Sequence, residues 1–185
     1  MMAFPENIDK SWTLFLDRDG VINKRIYGGY VQHPDTFEFL PGVLESLAFF
    51  SRIFGRIIVV TNQQGIGKGI MDETQLEAVH RKMLTDVEYA GGKIDAVFYC
   101  PDLASKPDNC RKPSPFLALE AQKQFPEIDF HKSIMVGDAE TDMAFGRQTG
   151  MFTVLVGEGA VSQKVVDFNT RNMTSLRTFL TNKVL

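Results

Sequence analysis

The 185-residue chain predicts an α/β fold, a parallel sheet with helices on both faces. Two observations carry this expectation. Apolar and β-branched runs of strand length alternate with segments of helical periodicity between residues 12 and 156. Three of those runs stop on a polar residue, Asp17, Thr61 and Asp138, as strands do when their carboxyl ends open on a binding crevice.

Each element has its own signal. Residues 12–16 form the first strand, ending in Asp17-Arg18-Asp19-Gly20. Residues 20–41 make a connection of a length usual for functional or disordered segments. Leu40-Pro41-Gly42 opens a helix with Val43, Leu47, Phe50 and Phe54 at helical spacing, and Gly55 ends it. Residues 57–60, Ile-Ile-Val-Val, read as a strand buried on both faces, followed by Thr61-Asn62-Gln63-Gln64 and a glycine-rich loop. Asp72 with Gln75 predicts a capping box for a helix reaching about Ala90. Residues 96–99 are the third strand, and Ser114-Pro115 reads as N-cap and first helical position of the next helix. Residues 133–136 form a fourth strand before Gly137-Asp138, then a helix from about 140 to 148 closed by Gly150. Residues 152–156 are the fifth strand, and Thr174 is expected to cap a last helix, about 174–184, carrying Leu176, Phe179 and Leu180.

Composition bounds the function. With 44% hydrophobic and 23% charged residues the chain reads as one soluble domain. A net charge of −3 provides no bulk basic field for nucleic acid or anionic membrane. No run approaches the roughly 20 apolar residues that span a bilayer, and residues 1–10 lack the apolar core of a signal peptide. Two cysteines imply no disulfide framework, and a reducing cytoplasm is the expected location.

The strand-end residues suggest chemistry. Asp17 and Asp19, placed on one face at the sheet end, pair a nucleophile with a proton carrier, although Asp-Arg-Asp-Gly is also ordinary turn sequence. Thr61 and Asn62 offer neutral donors to a phosphate oxygen, or simply a polar turn. Arg111 and Lys112 before a helix start make an anion site or a solvated pair. Asp138 and Asp142 suit a helix start, and with Asp17 and Asp19 they also suit an octahedral oxygen site for Mg²⁺. Gly65-Ile66-Gly67-Lys68-Gly69 lacks the spacing and the Ser/Thr of a P-loop; Lys68 reads as solvated. His33, His80 and His131 are scattered and suggest no metal site or triad.

In this order the motifs resemble those of the haloacid dehalogenase-like phosphohydrolases: Asp17-Arg18-Asp19-Gly20, Thr61, Lys112 and Gly137-Asp138-Ala139-Glu140-Thr141-Asp142. Phe15-Leu16 before the first motif, Gly29-Tyr30-Val31, Phe37-Glu38-Phe39, Val60-Thr61-Asn62-Gln63 and Cys110-Arg111-Lys112-Pro113 resemble the branch holding heptose bisphosphate phosphatases and histidinol-phosphatases. Gly29-Tyr30-Val31 leans toward the heptose enzymes. Two features depart from them: Ala139 stands where Lys is usual, and two extra residues lengthen the loop before Gly29.

The resemblance implies a Rossmann-like α/β/α domain over residues 1–185, core about 12–156, with strand order 3-2-1-4-5 and no separate cap domain. It implies a phosphate monoesterase with Asp17 as nucleophile, Asp19 as acid and base, and Thr61 and Lys112 on the transferring oxygens. Mg²⁺ would be held by Asp17, Asp19 through its carbonyl, and Asp138, with Asp142 supporting them. Asn62, Gln63, Arg111, Gly29 and Tyr30 are the expected substrate contacts. Zinc is not expected at Cys100, Asp102, Asp108 and Cys110, because structural zinc favours Cys and His; the thiols read as buried or idle. The expected partner is a small phosphorylated metabolite, a heptose bisphosphate or histidinol phosphate, and a monomer is favoured. A polynucleotide 3′-phosphatase fits the mildly acidic balance poorly, and a non-catalytic binding protein fits poorly with every catalytic position filled.

Overall fold

The computed structural model describes residues 3–158 and 161–184. A six-stranded parallel sheet runs β3-β2-β1-β4-β5-β6, with β1 Thr13–Leu16, β2 Arg56–Asn62, β3 Ala96–Cys100, β4 Ser133–Gly137, β5 Phe152–Val156 and β6 Phe168–Thr170. The expected order of the first five strands holds. The sixth, absent from the sequence reading, extends the sheet beyond β5. It is three residues long, too short for a periodicity signal, and Asp167 anchors it by accepting from the Thr153 N–H at 3.0 Å and pairing with Arg147.

Strand alternation sends side chains to two separate cores. Leu14, Leu16, Ile57, Val59, Ile134 and Val136 pack with α1 (Val43–Ile53), α2 (Glu73–Tyr89) and α5 (Met173–Val184). Phe15, Ile58, Val60 and Met135 pack on the opposite face with α3 (Phe116–Gln124) and Phe145 of α4 (Glu140–Thr149). The central strands are thus covered on both faces, which explains their unbroken apolar runs.

Helix ends follow from local chemistry, with two corrections. The Asp72–Gln75 capping box forms in both directions, and Gly150 closes α4 with φ 84°. Ser114 is not the N-cap of α3; Pro115 is, and the Ser114 hydroxyl accepts from the Phe116 N–H one residue further out. Thr174 lies inside α5, where Asn172 Oδ1 accepts from the Ser175 N–H at 2.8 Å and does the capping. No helix among the described residues is long and apolar enough to cross a membrane.

Candidate active site

The sheet's carboxyl edge assembles the site. Leu16 is in register with Val59 and Val136, so the residues that follow each strand emerge side by side. β1 ends at Leu16, one residue before the aspartates, and Asp17 stays in line by donating its N–H to the Val136 carbonyl at 2.9 Å. The chain then turns sharply, with the N–H groups of Ile22 and Asn23 returning to the Arg18 carbonyl. Gly20, at φ +96°, is needed there twice over: its conformation disfavours a side chain, and a Cβ would collide with the Asp138 carboxylate.

Asp17, only 5% exposed, meets Lys112 on one oxygen, Oδ1 to Nζ at 2.7 Å. Lys112, buried at 3%, also reaches Asp142 Oδ1 at 2.6 Å. Burial works against the lysine's charge, but Asp142 and Asp17 outweigh it and hold its pKa above the ordinary value. Asn62 brackets Lys112 from β2, its Oδ1 accepting the Lys112 N–H at 2.9 Å and its Nδ2 donating to the Lys112 carbonyl. Asp142 Oδ2 accepts the N–H groups of Asp138 and Ala139 at 3.2 and 3.1 Å, fixing the loop that carries Asp138. Both Asp142 oxygens are thereby engaged, which suits support and not direct ligation.

Asp19 sits in a network that sequence reasoning missed. Arg18, fully buried, donates to both of its oxygens at 2.9 and 3.0 Å, and Asn23 and Gln63 add a donor each at 2.9 Å. Burial raises the Asp19 pKa, but Arg18 and these amides outweigh it and hold the carboxyl below the usual range. His80 of α2 lies 3.1 Å from Arg18; burial first, and then the Arg18 charge, lower its pKa to about 3. Neutral His80 therefore accepts from the guanidinium and keeps it turned toward Asp19. Arg18 was legible only as a letter between two aspartates.

The expected magnesium residues converge on one point, and a cation of the chain itself sits there. Arg25 Nη2 lies 2.7 Å from Asp138 Oδ1, 2.9 Å from the Asp19 carbonyl and 3.9 Å from Asp17 Oδ2. These oxygens belong to the three residues named for the metal. Burial pushes Asp17 up to about 7, with Lys112 opposing and Asp142 adding to the rise. It pushes Asp138 up to about 6 despite Arg25. A buried carboxylate, a half-buried one and a carbonyl facing one cationic group are a donor set that fits a hard divalent ion.

A cleft of about 490 Å³ opens above these groups. Gly29, Tyr30, Asn62 and Arg111, the expected substrate contacts, line it, together with Thr61, whose hydroxyl accepts from Gln63 Nε2 at 2.8 Å and so keeps its own proton for another acceptor. Gln63 is a correction. It is 1% exposed, does not line the cleft, and spends its amide on Asp19 and Thr61. Lys68, read as solvated, stands on the cleft wall over the Tyr30 ring, 5.6 Å from its centroid. Arg111 Nη1 is buried with no hydrogen-bond partner among the described residues.

The cysteines are a second correction. Cys100, the last residue of β3, is joined to Cys110 by a disulfide with Cα atoms 5.6 Å apart, so neither is an idle thiol. Asp102 lies beside the pair, its Oδ2 accepting the Cys110 N–H at 3.1 Å, while Asp108 does not belong to this group.

A family model described as HAD-hydrolase-like matches residues 109–176. A D-glycero-α-D-manno-heptose-1,7-bisphosphate 7-phosphatase of Mycobacterium bovis is 39% identical over 138 residues, 75% of this chain and 73% of that protein. A D-glycero-β-D-manno-heptose-1,7-bisphosphate 7-phosphatase of Photorhabdus laumondii is 38% identical over 137 residues, covering 70% and 71%. Among solved structures, the D,D-heptose 1,7-bisphosphate phosphatase of Bordetella bronchiseptica, complexed with magnesium and phosphate, superposes with a TM-score of 0.82. That match has 27% identity and covers 92% of this chain and 98% of the other.

Proposed function

Because the chain belongs to the haloacid dehalogenase-like phosphohydrolases, in the branch of the heptose bisphosphate phosphatases, we propose that it removes one phosphate from a heptose 1,7-bisphosphate with Mg²⁺ as cofactor. The observation that carries this reading is Asp17, a buried carboxylate with Lys112 on one oxygen and the convergent donor set on the other.

Asp17 forms the bond to phosphorus as the sugar–oxygen bond to phosphorus breaks, giving an aspartyl-phosphate. The leaving oxygen takes a proton from Asp19. Water then gives a proton to Asp19 and attacks phosphorus, and the acyl-phosphate bond breaks to restore the Asp17 carboxylate. Arg18 favours the ionised form of Asp19, so donation in the first step requires the carboxyl to turn away from Arg18 and take up a proton from solvent before it faces the leaving oxygen. Lys112 and the Thr61 hydroxyl meet the transferring oxygens where charge develops. Asp17, the Asp19 carbonyl and Asp138 would hold Mg²⁺, which when bound offsets repulsion between the carboxylate nucleophile and a phosphate dianion.

The cleft supports a substrate with a second phosphate. Lys112 serves the first, while Arg111, whose buried Nη1 has no partner among the described residues, and Lys68 line the same cleft for another anion. The test is phosphate release with Mg²⁺ from heptose 1,7-bisphosphate, histidinol phosphate and a DNA 3′-phosphate. The bisphosphate is expected to give the highest kcat/KM. Faster turnover of histidinol phosphate would move the assignment to that substrate, and no turnover of any would end the phosphatase reading.

A further inference from the structure

Arg25 has no place in the catalytic scheme, yet it occupies the most consequential position in the site. It lies 113 residues from Asp138 in sequence and reaches it across the open edge of the sheet. Its segment, residues 24–29, is exposed throughout; Tyr27 is 91% exposed and Gly28 at φ +74° has open space around it. The Arg25 side chain is 36% exposed, and among the described residues its hydrogen bonds run to metal-seat oxygens, Asp138 Oδ1 and the Asp19 carbonyl. A cation on an accessible arm, contacting the oxygens of a metal seat, and no deeper anchor, describes a removable counter-ion.

From this geometry we propose that Arg25 is an internal occupant of the divalent-cation seat and that Mg²⁺ binds by displacing it. The inference rests on the Mg²⁺ reading above. The two cations cannot share the seat: Arg25 Nη2 is within bonding distance of Asp138 Oδ1 and the Asp19 carbonyl and close to Asp17 Oδ2. In the metal-free protein Arg25 offsets the repulsion of Asp17 and Asp138, which keeps the loop after Gly20 closed on the sheet edge. Metal binding removes that tie, and the guanidinium, already part of the cleft wall, is released beside the substrate's position. Mg²⁺ occupancy and the closure of this loop are therefore coupled with opposite sign. The apparent metal affinity is lowered by the fraction of molecules in which Arg25 holds the seat.

The experiment is calorimetric titration of Mg²⁺, without phosphate, into the full chain and into Arg25→Ala and Arg25→Gln, with melting temperatures recorded with and without metal. Both variants are expected to bind Mg²⁺ about three- to tenfold more tightly than wild type, as removal of a competing charge-assisted contact requires. Without metal they are expected to melt lower than wild type, and saturating Mg²⁺ is expected to close that gap. Mg²⁺ binding of equal or lower affinity in both variants overturns the exchange and leaves the metal reading standing. No Mg²⁺ binding by any of the three proteins overturns both. A second measurement needs no variant: the Arg25 Nε–H resonance of ¹⁵N-labelled wild type should shift as Mg²⁺ is added. A resonance that stays in place while Mg²⁺ binds contradicts the proposal.

Discussion

Replacing Lys112 by methionine (Lys112→Met) removes the cation that, among the described residues, touches both Asp17 and Asp142. The lysine side chain is 1% exposed and its partners 8% and 2%, so water cannot stand in for it. Taking one partner from a buried ion pair costs about 3–5 kcal/mol, because the charge left behind is uncompensated. Asp17 already sits at about 7, so a proton taken up near neutral pH relieves part of the loss and places the effect at the lower end. At about 2–4 °C per kcal/mol for a chain of this size, the melting temperature should fall by roughly 6–12 °C. Adding Asp142→Asn removes one stranded charge while leaving an amide oxygen for the Asp138 and Ala139 N–H groups. The double variant should regain about half of the stability, a coupling expected of contacting residues. Activity should not return, since the lost donor to the transferring oxygens is worth about 10²–10³ in kcat. Urea unfolding in metal-free buffer, followed by kcat/KM with Mg²⁺, checks both. Stability of Lys112→Met within about 0.5 kcal/mol of wild type would refute the argument that this ion cluster is buried and mutually dependent.

Other predictions follow from the same geometry. Asp19→Asn should slow an alkyl phosphate at least tenfold more than a strongly activated aryl phosphate, which needs no proton on departure; equal losses count against Asp19 as the acid. EDTA should silence turnover and Mg²⁺ restore it, and indifference to chelation removes the metal from the scheme. Gly20→Ala should destabilise by about 1–3 kcal/mol and weaken Mg²⁺ binding, because the new methyl meets the Asp138 carboxylate. Calorimetry showing wild-type Mg²⁺ affinity in that variant contradicts the role given to Gly20.

Much of the site was legible because it lies where local pattern and topology agree. The Ile57–Val60 run could only be a covered strand, so Thr61 and Asn62 had to emerge at its carboxyl end, and they do. Asp17 and Asp138 follow the same rule on β1 and β4. What the sequence could not show are contacts made by lone residues over long separations. Arg25 is a single arginine in an exposed loop, and nothing periodic ties it to Asp138. Gln63 follows Asn62 in a polar tetrapeptide, and only the fold reveals that one faces the cleft while the other is buried against Asp19. Cys100 and Cys110 are ten residues apart across an irregular loop, where spacing does not determine whether the sulfurs meet. β6 depends on Asp167 reaching Thr153, a tertiary contact without a sequence period.

The central claim is that Asp17 carries the phosphoryl group. The direct measurement is an acid quench during turnover of a ³²P-labelled activated aryl phosphate, whose departure needs no proton, using Asp19→Asn to slow hydrolysis of the intermediate. Borohydride then reduces the acyl phosphate, and peptide mass locates the altered residue. The account predicts acid-stable, base-labile label on the protein, a reduced side chain at Asp17, and neither in Asp17→Asn, which should remain folded but inactive. Phosphate released with no label on the chain, or label at another residue, would contradict it.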